Sequence, residues 1–283
     1  MTGTDMRPPA TGSPATPPLG FDGSHSLLTP EAAFDPLSVS LLDAESADPA
    51  EVVSMGLPEF VVAEARANGV PAPPVRICAS PDSLAEAVAV MRLLRRGQDT
   101  PATNLTLTAA HATLAVPANR RALTGLAEDG VRVRTCQEVM PDMITLGTTV
   151  GVVTVKDIDG TRRVRVFRSP HKVDHMLRWQ FSQWYRSAAL EELRDVLDIL
   201  DNPMRVEVMA HLSAGTKDEV AARDLNVSVR TYHRHVAAIM STLGVHARFA
   251  AGMRAQQTGL SALCSIVRRG RPPARTSSDT PRP

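Results

Sequence analysis

Between residues 75 and 169, short runs rich in β-branched side chains alternate with amphipathic segments, and this alternation narrows the fold more than any other feature of the chain. The runs lie at 75–77, 105–107, 131–133, 143–155 and 164–167, several bounded by Gly, Pro, Asn or Asp, as strands closed by turns should be. Between the first two, residues 82–95 place Leu84, Ala87, Val88, Met91 and Leu94 at helical spacing. A second helix fits 119–128 and stops before Gly130. Strand–helix–strand order implies an α/β domain with a partly parallel sheet. Residues 151–166 then read as a hairpin turning at Asp157-Ile158-Asp159-Gly160.

The flanks differ. Residues 1–20 are rich in Pro, Thr, Gly and Ser with few apolar side chains, too few to offset chain entropy, so a disordered tail is expected. Short helical patterns occupy 34–68, the clearest at 58–67. On the other side one long helix is expected over 170–200, with Leu177, Phe181, Trp184, Tyr185 and Ala188 on an apolar face and Glu191, Glu192, Arg194 and Asp195 solvated. An aromatic stripe at this spacing is expected to be core or dimer interface. This helix would connect an α/β domain over 34–200 to the C-terminal region.

Residues 201–265 read as an all-α domain of four short helices. Asn202-Pro203 is a start signal, a capping residue before proline at the first helical position. That helix turns Val206, Met209 and Leu212 inward and stops before Gly215. Thr216 is placed to cap a second helix, with Glu219 three residues on, and Val220, Ala221 and Leu225 on its buried side. Ser228 caps the third, 229–243, where Val229, Tyr232, Val236, Ile239, Met240 and Leu243 share one face. The opposite face shows Arg230, Thr231, His233, Arg234 and Ala237 and no acid. Gly244 breaks it, and a fourth helix fits 247–258, with Val245, Phe249 and Met253 facing in.

Charge separates the same regions. The whole chain carries +1, yet from Leu225 onward there are nine of the 31 basic residues and one of the 30 acidic ones. The C-terminal segment is therefore +8 and everything before it −7, an asymmetry suited to a polyanion-binding end. Residues 266–283 are expected to form a disordered basic tail. Cys78, Cys136 and Cys264 show no CxxC spacing and argue against disulfides or a zinc site; no metal or cofactor is expected. No signal peptide or membrane-length apolar run is read, which predicts a cytoplasmic protein without a membrane partner.

The run Ser228-Val-Arg-Thr-Tyr-His-Arg-His-Val-Ala-Ala-Ile-Met-Ser-Thr-Leu-Gly-Val245 resembles the signature of the LuxR-type helix-turn-helix family. Ser228, Arg230, Thr231, His235, Val236, Ile239, Leu243, Gly244 and Val245 match in register, with Pro203, Glu207, Val208, Glu219 and Ala221 upstream and Arg248 in the fourth helix. The resemblance implies a four-helix domain whose third helix enters the major groove and whose fourth often dimerises. Base edges would then fall to His233, Arg234 and Ala237, and phosphates to Lys217, Arg230, Thr231 and Arg248. His235, beside the apolar stripe, is expected to pack. Three departures remove phosphate-seeking or polar groups: His233 and Asp218 stand where a Lys is usual, and Ala238 where a polar residue is common.

Upstream there is neither a phosphoacceptor acidic cluster nor a Gly-rich Lys-Ser/Thr loop. The segment 123–190 instead resembles the phospholipase-D-like, TrmB-like sensor module of some actinobacterial regulators. Gly130-Val-Arg-Val-Arg134, the strand pair, Arg168-Ser-Pro170 and the helix with Trp184 carry that likeness. Phosphodiester hydrolysis needs a His and a Lys two residues later, whereas His171 and Lys172 are adjacent and His111 has no Lys near it; no enzyme is expected. His171, Lys172 and His175 are read either as lining an anionic pocket or as a solvated helix start. The expected function is sequence-specific DNA-binding transcription regulation. The N-terminal domain would sense a small-molecule effector or mediate homodimerisation, and the expected partners are double-stranded DNA and RNA polymerase. The alternatives are a protein-interaction regulator whose helix-turn-helix no longer binds DNA, and a phosphodiesterase-like enzyme.

Overall fold

The computed structural model describes residues 56–68, 73–96, 101–138, 140–156 and 162–270. The expected N-terminal tail, the turn at 157–160 and the basic tail beyond 270 lie outside them. The first half alternates helix and strand: α1 (Leu57–Ala67), β1 (Val75–Ala79), α2 (Leu84–Arg96), β2 (Leu105–Ala110), α3 (Pro117–Glu128) and β3 (Arg132–Cys136). Then come β4 (Asp142–Leu146), β5 (Val150–Lys156), β6 (Arg162–Phe167) and α4 (Pro170–Arg186). These strands and a two-residue β7 (Ala188–Ala189) form one mixed sheet in the order β6-β5-β4-β1-β2-β3-β7. β1–β2 and β2–β3 pair in parallel, joined by α2 and α3, and every other pair is antiparallel. The continuous run at 143–155 is two strands, because Gly147 adopts φ +54° and turns the chain back on itself.

Strand alternation sends side chains to two cores. Val75, Ile77, Leu105, Leu107 and Val133 pack with Val88, Met91 and Leu94 of α2 and Leu123 and Leu126 of α3. The opposite face buries Cys78, Met143, Val153 and Phe167 against Met176 and Trp179 of α4. On α4 the buried face is Val173, Met176, Leu177, Trp179, Gln180 and Gln183, rotated from the aromatic stripe read in the sequence. Tyr185 is 77% exposed. Trp184 is half-buried and receives Arg134 over its ring at 5.3 Å.

The expected long connecting helix is broken. After Arg186 the chain turns extended at Ser187, whose Oγ donates to Trp184 O. Ala188 and Ala189 then pair with Thr135 and Arg134 on the free edge of β3. A 3₁₀ turn (Leu190–Leu193) leads into α5 (Arg194–Leu200). No Pro or Gly announces this break; the unpaired edge of β3 draws the backbone away from the helix.

Five helices come next: α6 (Pro203–Ser213), α7 (Asp218–Asp224), α8 (Val229–Thr242), α9 (Arg248–Gln257) and α10 (Leu260–Arg269). Four were expected. The fifth buries Leu260, Leu263 and Cys264, each such leucine contributing about 2 kcal/mol, and takes in residues 266–269, expected in the tail. It docks the helical half on the sheet half, against α6 and the 3₁₀ turn His111–Ala115. Its N-cap, Gly259, has φ +70°, and a Cβ there would meet the His111 ring at 2.8 Å; only glycine fits. Arg120 of α3, 6% exposed, pins the other side. It donates to Leu114 O, Leu200 O and the Asp201 carboxylate, and one apolar cluster runs through both halves.

Candidate nucleic-acid interface

The core of the helical half is built from α6, α7, α8 and α9. Tyr232, Val236 and Ile239 of α8 are buried with Val206, Val208 and Met209 of α6, Ala221 and Ala222 of α7, and Ala251 and Ala255 of α9. Two expected caps form: Asn202 Oδ1 accepts from Arg205 N at 3.1 Å, and Ser228 Oγ accepts from Thr231 N at 3.1 Å. The third does not. Lys217 is the N-cap of α7 and makes no side-chain cap bond, while Thr216 Oγ1 lies 3.4 Å from His211 Nδ1. The turn between α7 and α8 needs a left-handed residue, supplied by Asn226 at φ +53°, one of the few side chains that tolerates it.

Three apolar positions read as inward are not. Phe249 and Met253 of α9 are 81% and 48% exposed, and Val220 is also exposed. α9 contributes its small residues Ala251 and Ala255 to the core instead, so its apolar face points outward.

The predicted contact residues divide into two groups. Arg230, His233, Arg234 and Ala237 are all exposed on α8 at i, i+3, i+4 and i+7, which places them in one stripe. Arg230 and Arg234 form no hydrogen bond or ion pair among the described residues, and α8 contains no acid. Thr231 is half-buried, its hydroxyl 2.9 Å from Ser228 Oγ. Lys217 is exposed. Arg248 and His233, by contrast, converge on Asp218 at the start of α7. Arg248 Nη1 and Nη2 donate to Asp218 Oδ1 and Oδ2 at 2.6 and 2.8 Å, and His233 Nε2 lies 2.7 Å from Oδ2. The Arg248 guanidinium, with His233 beside it, holds the Asp218 carboxyl below the usual carboxylate range, and Asp218 in turn raises Arg248. Asp218 has no sequence signal as a partner of either, being 15 and 30 residues away; only its standing where the resembled family usually has a Lys marked it.

A cleft of about 450 Å³ opens where the carboxyl ends of β2 and β3 meet the last turn of α9, lined by His111, Gln137, Glu138, Arg186, Arg254 and Gln257 among others. It draws on segments far apart in sequence, so no local pattern revealed it. His171 and His175 are exposed, Lys172 sits over Phe167 at 5.4 Å, and none of the three lines the cleft. His171 and His175 stand at a solvated helix start, whereas Lys172 is half-buried. Burial raises the Cys78 and Cys136 thiols and pushes Cys264 up to about 12, so all three are protonated and unreactive at neutral pH. Among the described residues no group of side chains could hold a metal ion, and no helix is long and apolar enough to cross a membrane.

No family model matches the chain. Over 147 residues it is 27% identical to the bialaphos biosynthetic pathway regulatory protein of Streptomyces hygroscopicus, covering 51% of this chain and 57% of that protein. The match thus spans little more than half of the relative's length. Among solved structures, Nuc of Salmonella typhimurium, a phospholipase D family member, overlaps 46% of this chain and 89% of its own at a TM-score of 0.33 and 14% identity. The archaeal chromatin protein TrmBL2 overlaps 55% of this chain and 60% of its own at 0.36 and 8%. At these scores neither defines the fold or the function. The chain is a mixed α/β protein similar in sequence to a pathway regulator.

Proposed function

We propose that the chain is a sequence-specific DNA-binding transcription regulator of the LuxR type, acting in the cytoplasm without catalysis. The observation that carries this is the stripe Arg230, His233, Arg234 and Ala237, exposed on an acid-free helix that is capped at Ser228 and held by a buried core. A helix of this kind enters the major groove with its first turns toward the bases. Arg234 can fork onto guanine and Ala237 meet a thymine methyl, with His233 between them. Arg230, Thr231, Lys217 and Arg248 then lie on the phosphate side. Similarity to a biosynthetic pathway regulator supports the same class.

Phe249 and Met253, four residues apart on the exposed face of α9, give a second copy of the chain an apolar surface. An inverted repeat with half-sites about one helical turn apart is the matching DNA. The cleft between the halves is where a small-molecule effector would act, and RNA polymerase is the further partner of such a regulator. One observation favours a second reading, a regulator that works through protein contacts alone: Asp218 already occupies two of the groups meant for DNA. Selection of duplexes from a random pool by the full chain tests the proposal. Enrichment of one motif with twofold symmetry is expected; a pool that stays random after repeated rounds removes the DNA reading and leaves the second.

A further inference from the structure

The reading face has a free half and an occupied half. Arg230 and Arg234 stand without an acid, whereas Arg248 and His233 are both turned onto Asp218. The fork that Arg248 makes to the two carboxylate oxygens is the one a guanidinium makes to a phosphate, and Asp218 fills it. Its side chain is only 19% exposed, between side chains of Arg248 and His233 that are 47% and 53% exposed. The carboxylate therefore lies beneath its two partners rather than in open solvent. A phosphate arriving at either group must displace a carboxylate already in place and must approach a fixed negative charge.

We infer that Asp218 is a specificity-determining residue that works as an internal phosphate mimic, keeping Arg248 and His233 from sequence-independent attachment to DNA. This rests on the DNA-binding reading above. Sequence-independent affinity comes from cations that release counterions from phosphates, each contact steepening the salt dependence by about 0.9 in the logarithmic slope. With the Arg248 guanidinium withheld, attachment depends on Arg230, Arg234 and Lys217. Contacts from Arg234 to base edges are unaffected by the clamp. The ratio of chosen to random sequence is therefore higher than the same helix would show with all its cations free.

The full-length protein and its Asp218→Asn and Asp218→Glu variants would be titrated with a random-sequence duplex from low to moderate salt, followed by fluorescence anisotropy. Asparagine keeps the shape and removes the charge. It should tighten binding to the random duplex by about tenfold at low salt and steepen the salt slope by about one. Asp218→Glu keeps the charge and should stay near the wild type. Melting curves of the three proteins establish that each is folded. Binding by Asp218→Asn where the wild type shows none is the extreme form of the expected result. An Asp218→Asn affinity and slope equal to or below those of the wild type would overturn the inference while leaving the DNA reading in place, since a carboxylate that merely orients Arg248 toward phosphate predicts that loss. Failure of all three proteins to bind any duplex removes both.

Discussion

The sheet half and the helical half use arginine in opposite ways. In the sheet half three arginines are consumed by the fold: Arg76 lies 4.7 Å over the Phe181 ring, Arg134 stacks on Trp184 and bonds Ser187, and Arg120 is buried on two carbonyls and a carboxylate. In the helical half Arg230 and Arg234 stand in solvent on a helix with no acid. A basic count by itself therefore says little about nucleic acid. What faces each cation decides whether it builds the fold or is left for a partner, and Arg248 shows the intermediate case.

The largest effect should come from the residue on which the helical half is built. Tyr232 is fully buried in α8, and its hydroxyl completes no hydrogen bond. Tyr232→Ala removes a ring from a small core and should cost about 3–5 kcal/mol in urea unfolding. Tyr232→Phe removes only an unpaired buried hydroxyl and should be neutral or slightly stabilising. If the two variants lose similar stability, the hydroxyl has a partner and the packing account is wrong.

Next comes the join between the halves. Arg120→Ala leaves Leu114 O and Leu200 O without their donor and Asp201 unpaired, at a cost of about 3 kcal/mol. Because the apolar cluster runs through both halves, a single transition is expected in the wild type. In the variant, fluorescence of Trp179 and Trp184 and the helical circular dichroism should separate. Coincident transitions in Arg120→Ala would show that α10, not this arginine, couples the halves.

These two sites also mark what could be read from the chain. The five-run alternation of 75–169 carried the sheet, because buried strands leave a β-branched signature wherever they occur, and the caps Asn202 and Ser228 carried the helix starts, because capping is local. The break after Arg186 was hidden, since its cause is the edge of β3, a strand distant in sequence. Phe249 and Met253 misled because an apolar side chain at helical spacing does not say whether it faces its own core or a second surface. At the site, the stripe on α8 was legible as periodicity and the absence of acid. The occupation of Arg248 and His233 was not, for it depends on how α7, α8 and α9 are stacked.

A smaller effect separates the free arginines from those consumed by the fold. Arg234→Ala should weaken binding to the selected duplex by about 1–3 kcal/mol and relax selectivity at one base pair, with no change in melting. Arg134→Ala should leave DNA affinity alone, because that guanidinium is engaged by Ser187 and Trp184. Equal footprints for Arg234→Ala and the wild type would mean that α8 is docked with the wrong face toward the groove.

The smallest effect lies where the two halves touch. His111 is 6% exposed, with Nδ1 3.0 Å from Thr135 Oγ1 and the ring beneath the Gly259 turn. Burial pushes its pKa below the imidazole value of 6.5, against a weaker opposing pull from the Thr258 backbone. In the unfolded chain the imidazole takes up a proton near 6.5, whereas in the folded chain it does so only at lower pH. The unfolded state thus binds more protons across that window, and stability falls as the pH drops from 6.5 toward the folded value; above 6.5 the contribution is fully present. Since the ring touches the cap of α10, the loss should be felt first as opening of the docked helices. Protection factors of the amides at 259–264, corrected for the intrinsic pH dependence of exchange, are therefore expected to fall below pH 6.5 before those of the sheet amides do. His111→Asn cannot take up the proton and should flatten that dependence relative to the wild type. An unchanged pH slope in His111→Asn would move the titration to another group and show that acid does not act through this contact.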